Sequence, residues 1–338
     1  MDFTQKRKSQ MGVKSLGDMR REGRIKSTTD SSRLVNGPKF FDCLERPWMR
    51  GDMMGVLSPT GVGKTSWCLF TIAETLRNNA EGICIIWAGE QDVSELDEKW
   101  EASTEQEPEL ADRLYIITNF DEEGTSRNMS ITDIKHEVNR IRSTLNCEVI
   151  MFIIDHLHLL NNNGSTDFNQ VCVDIKRMAK EINAYGIVVS QTTKANQVID
   201  VPVPRTGSHS CSQFEWIMTN IISLFQPLKR VEHDADLPLL GWQLSKIRYK
   251  GKKDKVKEMM NYLLYFDHDT QSLRELTRQE KADFQMYFEK VQELRQNEEK
   301  FKSFQFDLSE VIKGKEGQEV RIDRVVGGGK PPSLDDDL

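Results

Sequence analysis

The sequence predicts an α/β fold: a central, mostly parallel sheet flanked by helices, with an antiparallel edge. Three observations lead there. From Leu34 onward short apolar runs alternate with amphipathic stretches, the pattern of repeated β-α-β units. Cys147 to Ile154 reads as a fully buried strand, apolar without interruption from Val149 onward, as strands are when helices cover both faces of a parallel sheet. Beyond residue 220 three strand-like runs follow one another with only turns or loops between them, which reads as the antiparallel edge.

The elements follow in order. MMGVLS (Met53 to Ser58) is a strand running into a glycine-containing turn, and a helix is expected from Lys64 to about Asn78. ICIIWAG (Ile83 to Gly89), a helix near Asp92 to Ala102 and LYIIT (Leu114 to Thr118) continue the alternation. Ser130 precedes Ile131, Ile134, Val138 and Ile141 at helical spacing, so it is the expected N-cap. After the strand ending at Asp155 come a helix from Phe168 to Ala184, the strand GIVVS (Gly186 to Ser190) and a polar loop to about Phe214, long enough to suspect function. The edge strands are expected at Ile221 to Phe225, Leu239 to Arg248 and Asn261 to Phe266, the last two joined by a Gly251-Lys252-Lys253-Asp254 turn. Four segments result: a basic flexible arm at 1–32, a core domain at 33–276, a charged helix at 277–303 announced by the capping pair Thr277 and Glu280, and a flexible tail at 304–338 ending Asp335-Asp336-Asp337-Leu338.

The totals bound the class. With 338 residues, 38% hydrophobic and 29% charged, the chain can bury one large core and is not wholly disordered. A formal charge of −7 argues against a protein coated in positive potential, while leaving room for a local basic groove. Six scattered cysteines without a C-x-x-C pair read as buried thiols in a reducing compartment. No apolar run is long enough to span a membrane and MDFTQKRKSQ lacks the core of a secretion signal, so the expected location is cytoplasmic.

The chemistry concentrates at Ser58-Pro59-Thr60-Gly61-Val62-Gly63-Lys64-Thr65, followed by Ser66, between an apolar strand and a helix. Successive backbone N–H groups and a helix N-terminus there can surround phosphate oxygens. Gly61 and Gly63 let the backbone approach the anion, Lys64 offers a point charge, and the Thr65 hydroxyl can coordinate Mg2+, so ATP with Mg2+ is the expected ligand. Ser58 stands where the P-loop pattern has its first glycine. Such a site needs one carboxylate for the metal and another to orient or deprotonate water. Asp155 ends VIMFIID and is assigned to the metal through water; Glu90 follows IIWAG and is assigned as catalytic base, with Asp92 and Glu95 close by. Gln191, at the end of GIVVS, is placed to sense the γ-phosphate or else is a polar strand terminus.

These stretches, with VCVDIKRMAKEINAYGIVVSQ and LLGWQLSKIRYKG ahead of NYLLYFDHDTQSLREL, resemble the RecA-like motor domain of DnaB-type replicative helicases over about Leu34 to Leu276. The resemblance implies a RecA-like P-loop NTPase that hydrolyses ATP to drive DNA unwinding in replication. It implies a ring, a homo-hexamer, in which Lys246 and Arg248 act at the neighbouring subunit's site. It also implies single-stranded DNA held by loops matching Asn161 to Asn169 and Lys194 to Phe214, with Asn162, Asn163, Lys194 and Arg205 as contacts, and a primase or helicase loader as partner. The 32 residues ahead of the core are too few for that family's separate N-terminal helical domain, so a stand-alone motor is expected. A RecA-like recombinase forming filaments, and a helicase-loading or regulatory protein that uses ATP to set its assembly, remain alternative readings; forked-duplex unwinding, joint-molecule formation or strand-independent ATPase tells the three apart.

Overall fold

Strands covered on both faces must be apolar throughout, and four strands in the computed structural model of the chain are buried at every position. The described residues are 34–41, 48–104, 107–120, 128–160, 167–193, 202–208, 212–227, 238–248 and 262–284. The arm at 1–32, the stretches 161–166 and 194–201, the turn at 251–254, most of the charged helix and the tail at 304–338 lie outside them.

The order is β1 (Met53–Ser58), α1 (Lys64–Asn78), β2 (Ile83–Ala88), α2 (Val93–Thr104), β3 (Leu114–Thr118), α3 (Ile131–Leu145), β4 (Val149–Asp155), α4 (Phe168–Glu181), β5 (Tyr185–Gln191), α5 (Ser212–Ile217), β6 (Asn220–Phe225), β7 (Leu239–Ile247), β8 (Tyr262–Phe266) and β9 (Leu273–Glu275). Among the described residues they build one nine-stranded sheet in the order β3-β2-β4-β5-β1-β6-β7-β8-β9. The strands from β3 through β6 in that order run parallel, and β7, β8 and β9 add the antiparallel edge.

Alternation along each strand divides the core into two layers. Met54 and Val56 of β1, Cys84 and Ile86 of β2, and Ile187 and Val189 of β5 face the layer containing Trp67, Leu69 and Ile72 of α1. Met53 and Leu57, Ile85 and Trp87, and Phe152 and Ile154 of β4 face the layer filled by Ile134 and Val138 of α3 and by Ile175 and Met178 of α4. Gly55, in the middle of β1, is a consequence of close approach: a Cβ there would lie 2.5 Å from the Phe214 ring of α5.

The elements expected between Met53 and Phe266 are present, with boundary shifts of one to three residues and a few short additions. α4 stops at Glu181 instead of Ala184 because Asn183 takes a left-handed backbone (φ 55°), which ends the helical ladder. α5 and β9, of six and three residues, are too short for a periodic signal, and α5 occupies the end of what reads as a polar loop. A 3-10 turn at Pro108–Arg113 leads into β3. The described cysteines Cys68, Cys84, Cys147 and Cys172 are in no disulfide, and three of them are buried.

α3 begins on a reciprocal cap: the Asp133 N–H donates to Ser130 Oγ at 3.3 Å and the Ser130 N–H donates to Asp133 Oδ2 at 2.8 Å. The Ser130 hydroxyl hydrogen bond to Asp133 also holds that carboxyl below its ordinary pKa. Ser130→Ala removes both side-chain bonds, and we expect it to lower stability by about 1 kcal/mol. The check is a urea titration in which the midpoint falls and the slope does not change.

Candidate functional site

Parallel strands put all their carboxyl ends on one edge of a sheet, where ligands gather. Here that edge brings together the tips of β1, β5, β4 and β2, which are consecutive neighbours. Ser58 is level with Gln191 and Ala88 is level with Asp155, so the glycine turn, Gln191, Asp155 and, two residues past Ala88, Glu90 stand in a row.

The turn after β1 takes its shape from Gly61 (φ 78°) and Gly63 (φ 93°), both left-handed. Gly63 is the N-cap of α1 and supplies no side-chain bond, so the first N–H groups of α1 are free to meet an anion. Thr60 and Gly61 are exposed, Pro59 and Val62 are buried, and Ser58 closes the base of the turn with a 3.0 Å bond from its hydroxyl to the Pro59 carbonyl. Lys64 is buried, and its ammonium donates to the Pro59 carbonyl at 3.1 Å. Burial lowers its pKa while Asp155, Glu90 and Cys68 act to raise it, so the cation sits beside two carboxylates in a poorly hydrated place. Ser66 is buried one residue past Thr65.

The Thr65 hydroxyl donates to Asp155 Oδ2 at 2.7 Å. Asp155 is 6% exposed, and burial raises its pKa against the opposing pull of that bond and of Lys64. The donor set fits Mg2+ with a polyphosphate: two hard oxygens in contact, a lysine and an uncapped helix N-terminus. Mg2+ characteristically takes one or two protein oxygens and fills its octahedron with phosphate and water. Among the described residues no group of three His, Cys, Asp or Glu is clustered for a metal.

Glu90 is half exposed, and its Oε1 lies 3.3 Å from His156 Nε2. This contact is not an ion pair, because burial and the neighbouring Lys64 push the imidazole down to about 4, so it is neutral near pH 7. His156 follows Asp155 directly, is buried, and holds a left-handed backbone at φ 89°, uncommon for a residue with a Cβ. Sequence reasoning assigned His156 no role; its sole signal is adjacency to Asp155. A second unassigned group lies one turn on: Ser190 Oγ is 3.3 Å from His158 Nε2 and 2.8 Å from Ser208 Oγ. Thr192 forms an isolated bridge with Ser208, and the Thr193 N–H donates to the Gly207 carbonyl, closing the base of the loop that follows Gln191.

The remaining sequence-assigned residues lie elsewhere. Asn162, Asn163 and Lys194 fall outside the described residues. Arg205 is exposed and pairs with Glu215 of α5 at 3.1 Å. Lys246 and Arg248 donate to the carbonyls of Glu215 and Trp216. They sit at the opposite edge of the sheet: the Arg248 N–H bonds the Thr219 carbonyl, and the Thr219 N–H bonds the carbonyl of Met53, where β1 begins. Five strand residues separate that level from Ser58, about 17 Å at 3.3 Å per residue.

No protein-family profile matches the sequence, and no curated protein sequence matches it. Solved structures do. A DnaB-like replicative helicase described with its interactions with primase aligns at TM-score 0.59 and 15% identity, over 78% of this chain and 68% of its own. A second structure, described as an ATPase domain, aligns at 0.60 and 15%, over 78% of this chain and all of its own. A KaiC-like protein, PH0186 from Pyrococcus horikoshii OT3, aligns at 0.51 and 15%, over 72% and 99%. The chain therefore has the RecA-like fold of DnaB-type ATPase domains. No described helix is long and apolar enough to cross a membrane.

A methyl group at Gly63 would be held in the left-handed region and lie 3.3 Å from the Phe266 ring. Gly63→Ala should cost about 1–2 kcal/mol from the backbone alone. Thermal or urea unfolding measured without nucleotide isolates that cost from any loss of anion binding.

Proposed function

We propose that this chain is the motor of an ATP-dependent DNA helicase: a P-loop ATPase that works as a homo-hexameric ring on single-stranded DNA in replication, in the cytoplasm. The observation that carries the ATPase part is the 2.7 Å bond between Thr65 and Asp155, next to a glycine-shaped, uncapped helix N-terminus and the buried Lys64. Residues Ser58 through Ser66 cradle the triphosphate, and the Lys64 ammonium leaves the Pro59 carbonyl for the outer phosphates. Thr65 and Asp155 hold Mg2+, which when bound neutralises charge on the phosphate oxygens. Glu90, whose Oε1 lies 3.3 Å from Nε2 of neutral His156 at the strand edge, takes the proton from the attacking water. Gln191, from the strand between β1 and β4, meets the γ-phosphate.

Arg248 supports action across a subunit boundary. About 17 Å of strand separates it from its own phosphate cradle, so it cannot stabilise charge there, but a head-to-tail neighbour would receive it. Lys246 accompanies it. β4 and β5 both end on the nucleotide edge, and we assign the strand contacts to Asn162, Asn163, Lys194 and Arg205, in the stretches of sequence that follow those strands. The Ser190–His158–Ser208 bonds tie both loop bases to the strand that ends in Gln191, a route from phosphate state to strand grip. A primase or a helicase loader is the partner class we assign, in line with the primase interactions described for a helicase of this fold.

Lys64→Ala should abolish ATP binding in calorimetry, while Glu90→Gln keeps binding and loses turnover by about a hundredfold or more. Equal turnover in Glu90→Gln removes it as the base, and equal turnover in Lys64→Ala removes the ATPase reading.

Arg248→Ala alone should lose ATPase by roughly a thousandfold. Mixed with Lys64→Ala, it should regain part of the activity, because each intact cradle then meets an intact arginine. Strand displacement from a forked duplex, dependent on ATP, distinguishes the helicase from a nucleotide-driven switch.

A further inference from the structure

Trp216 is 72% exposed at the end of α5, the largest exposure among the big hydrophobic side chains described. Its surroundings are cationic. Its carbonyl receives the Arg248 guanidinium, the preceding carbonyl receives Lys246, and Arg205 pairs with Glu215. Arg248 and Arg205 both act electrostatically on Lys246, and Arg248 acts on Lys176 of α4, the helix against which α5 packs. An exposed tryptophan, with Arg248 on its own carbonyl and Lys246 on the one before, is a poor surface to leave in water and a common kind of binding anchor.

The opposite edge of the sheet carries the complementary surface. Three residues past Glu90, Val93 opens α2 at 52% exposure. Around it Asp92, Glu95, Asp97, Glu98 and Glu101 are all exposed, against the partly buried Lys99 alone. The chain thus has an apolar residue in a basic surround at one end and an apolar residue in an acidic surround at the other.

The geometry points to these two surfaces docking on each other between copies of this chain, Trp216 of one against the Val93 end of α2 of the next. This rests on the proposed delivery of Arg248 to a neighbour's nucleotide site, and the spacing agrees with it. Arg248 is bonded to Trp216, and Val93 is three residues from Glu90, so a copy that places Arg248 near the neighbour's phosphates brings Trp216 to the start of its α2. Single-stranded nucleic acid is the other ligand that basic residues around an aromatic ring can hold. It is disfavoured because an acidic counterpart to this surface, at Asp92 and Glu95 beside Val93, is present on the same chain.

The experiment is sedimentation of the full chain with Mg2+ and a non-hydrolysable ATP analogue. Trp216→Ala and Val93→Glu should each raise the concentration for half-assembly at least about tenfold. Mixing the two variants should restore one good contact per pair, giving heterodimers with measurable ATPase and no longer species, since each variant keeps one intact surface. Unchanged assembly in both variants overturns the docking, and Arg248→Ala mixing then reports separately whether action in trans stands. Wild type that stays monomeric with concentration-independent ATPase overturns both. Unchanged assembly with weaker binding of a fluorescent oligo-dT strand by Trp216→Ala reassigns the surface to nucleic acid and overturns the docking as well.

Discussion

The hydrogen bond from Thr65 to Asp155 couples the first turn of α1 to the tip of β4 across an intervening strand, and the site's geometry depends on it. A carboxylate 6% exposed is costly to keep charged, as its raised pKa records. A hydrogen bond to a charged group contributes about 1.5–3 kcal/mol, and Lys64 adds attraction, so the acid is retained only because the turn after β1 delivers both partners. That delivery requires left-handed backbone at Gly61 and Gly63, and the parallel direction of β1, β5, β4 and β2, which brings every tip to the same edge.

The same parallel order fixes what lies on the other edge. β7 runs antiparallel to β6, so its end returns to the level where β1 begins. Basic side chains there are satisfied by the carbonyls that terminate α5, a helix only six residues long whose last carbonyls have no partner within the helix. One edge holds Asp155 and Glu90 beside Lys64; the other holds Arg248 and Lys246 on backbone carbonyls, with Arg50, Lys176 and Arg205 paired to Glu148, Asp52 and Glu215. Polarity of that kind suits head-to-tail assembly, where each contact differs from its mirror and a closed ring or a filament follows from repetition.

Between the edges, β5 is the strand whose end touches most of the machinery. Gln191 is level with Ser58, while Ser190 bonds His158 from the segment after Asp155 and Ser208 from the far side of the next loop. A shift at the strand tip has rigid partners on two sides, which is the physical requirement for coupling one site to another. His156, strained at φ 89° and neutral, places a buried ring against Glu90 in the same neighbourhood.

Sequence by itself determined the fold class, the strand tips and the glycine turn that opens α1, because these rest on local signals: uninterrupted apolar runs, glycines where φ must be positive, and a carboxylate at a run's end. Ser130 as a cap and the antiparallel edge were legible for the same reason. The contacts of His156, His158 and Ser208 were not, since their partners are distant in the chain or lie across a strand pair. α5 was hidden because six residues give no period, and with it the surroundings of Trp216, Lys246 and Arg248. Only the tertiary structure decided that Arg248 stands a full strand length from its own cradle, because strand direction and neighbour order are properties of pairing that no single segment encodes.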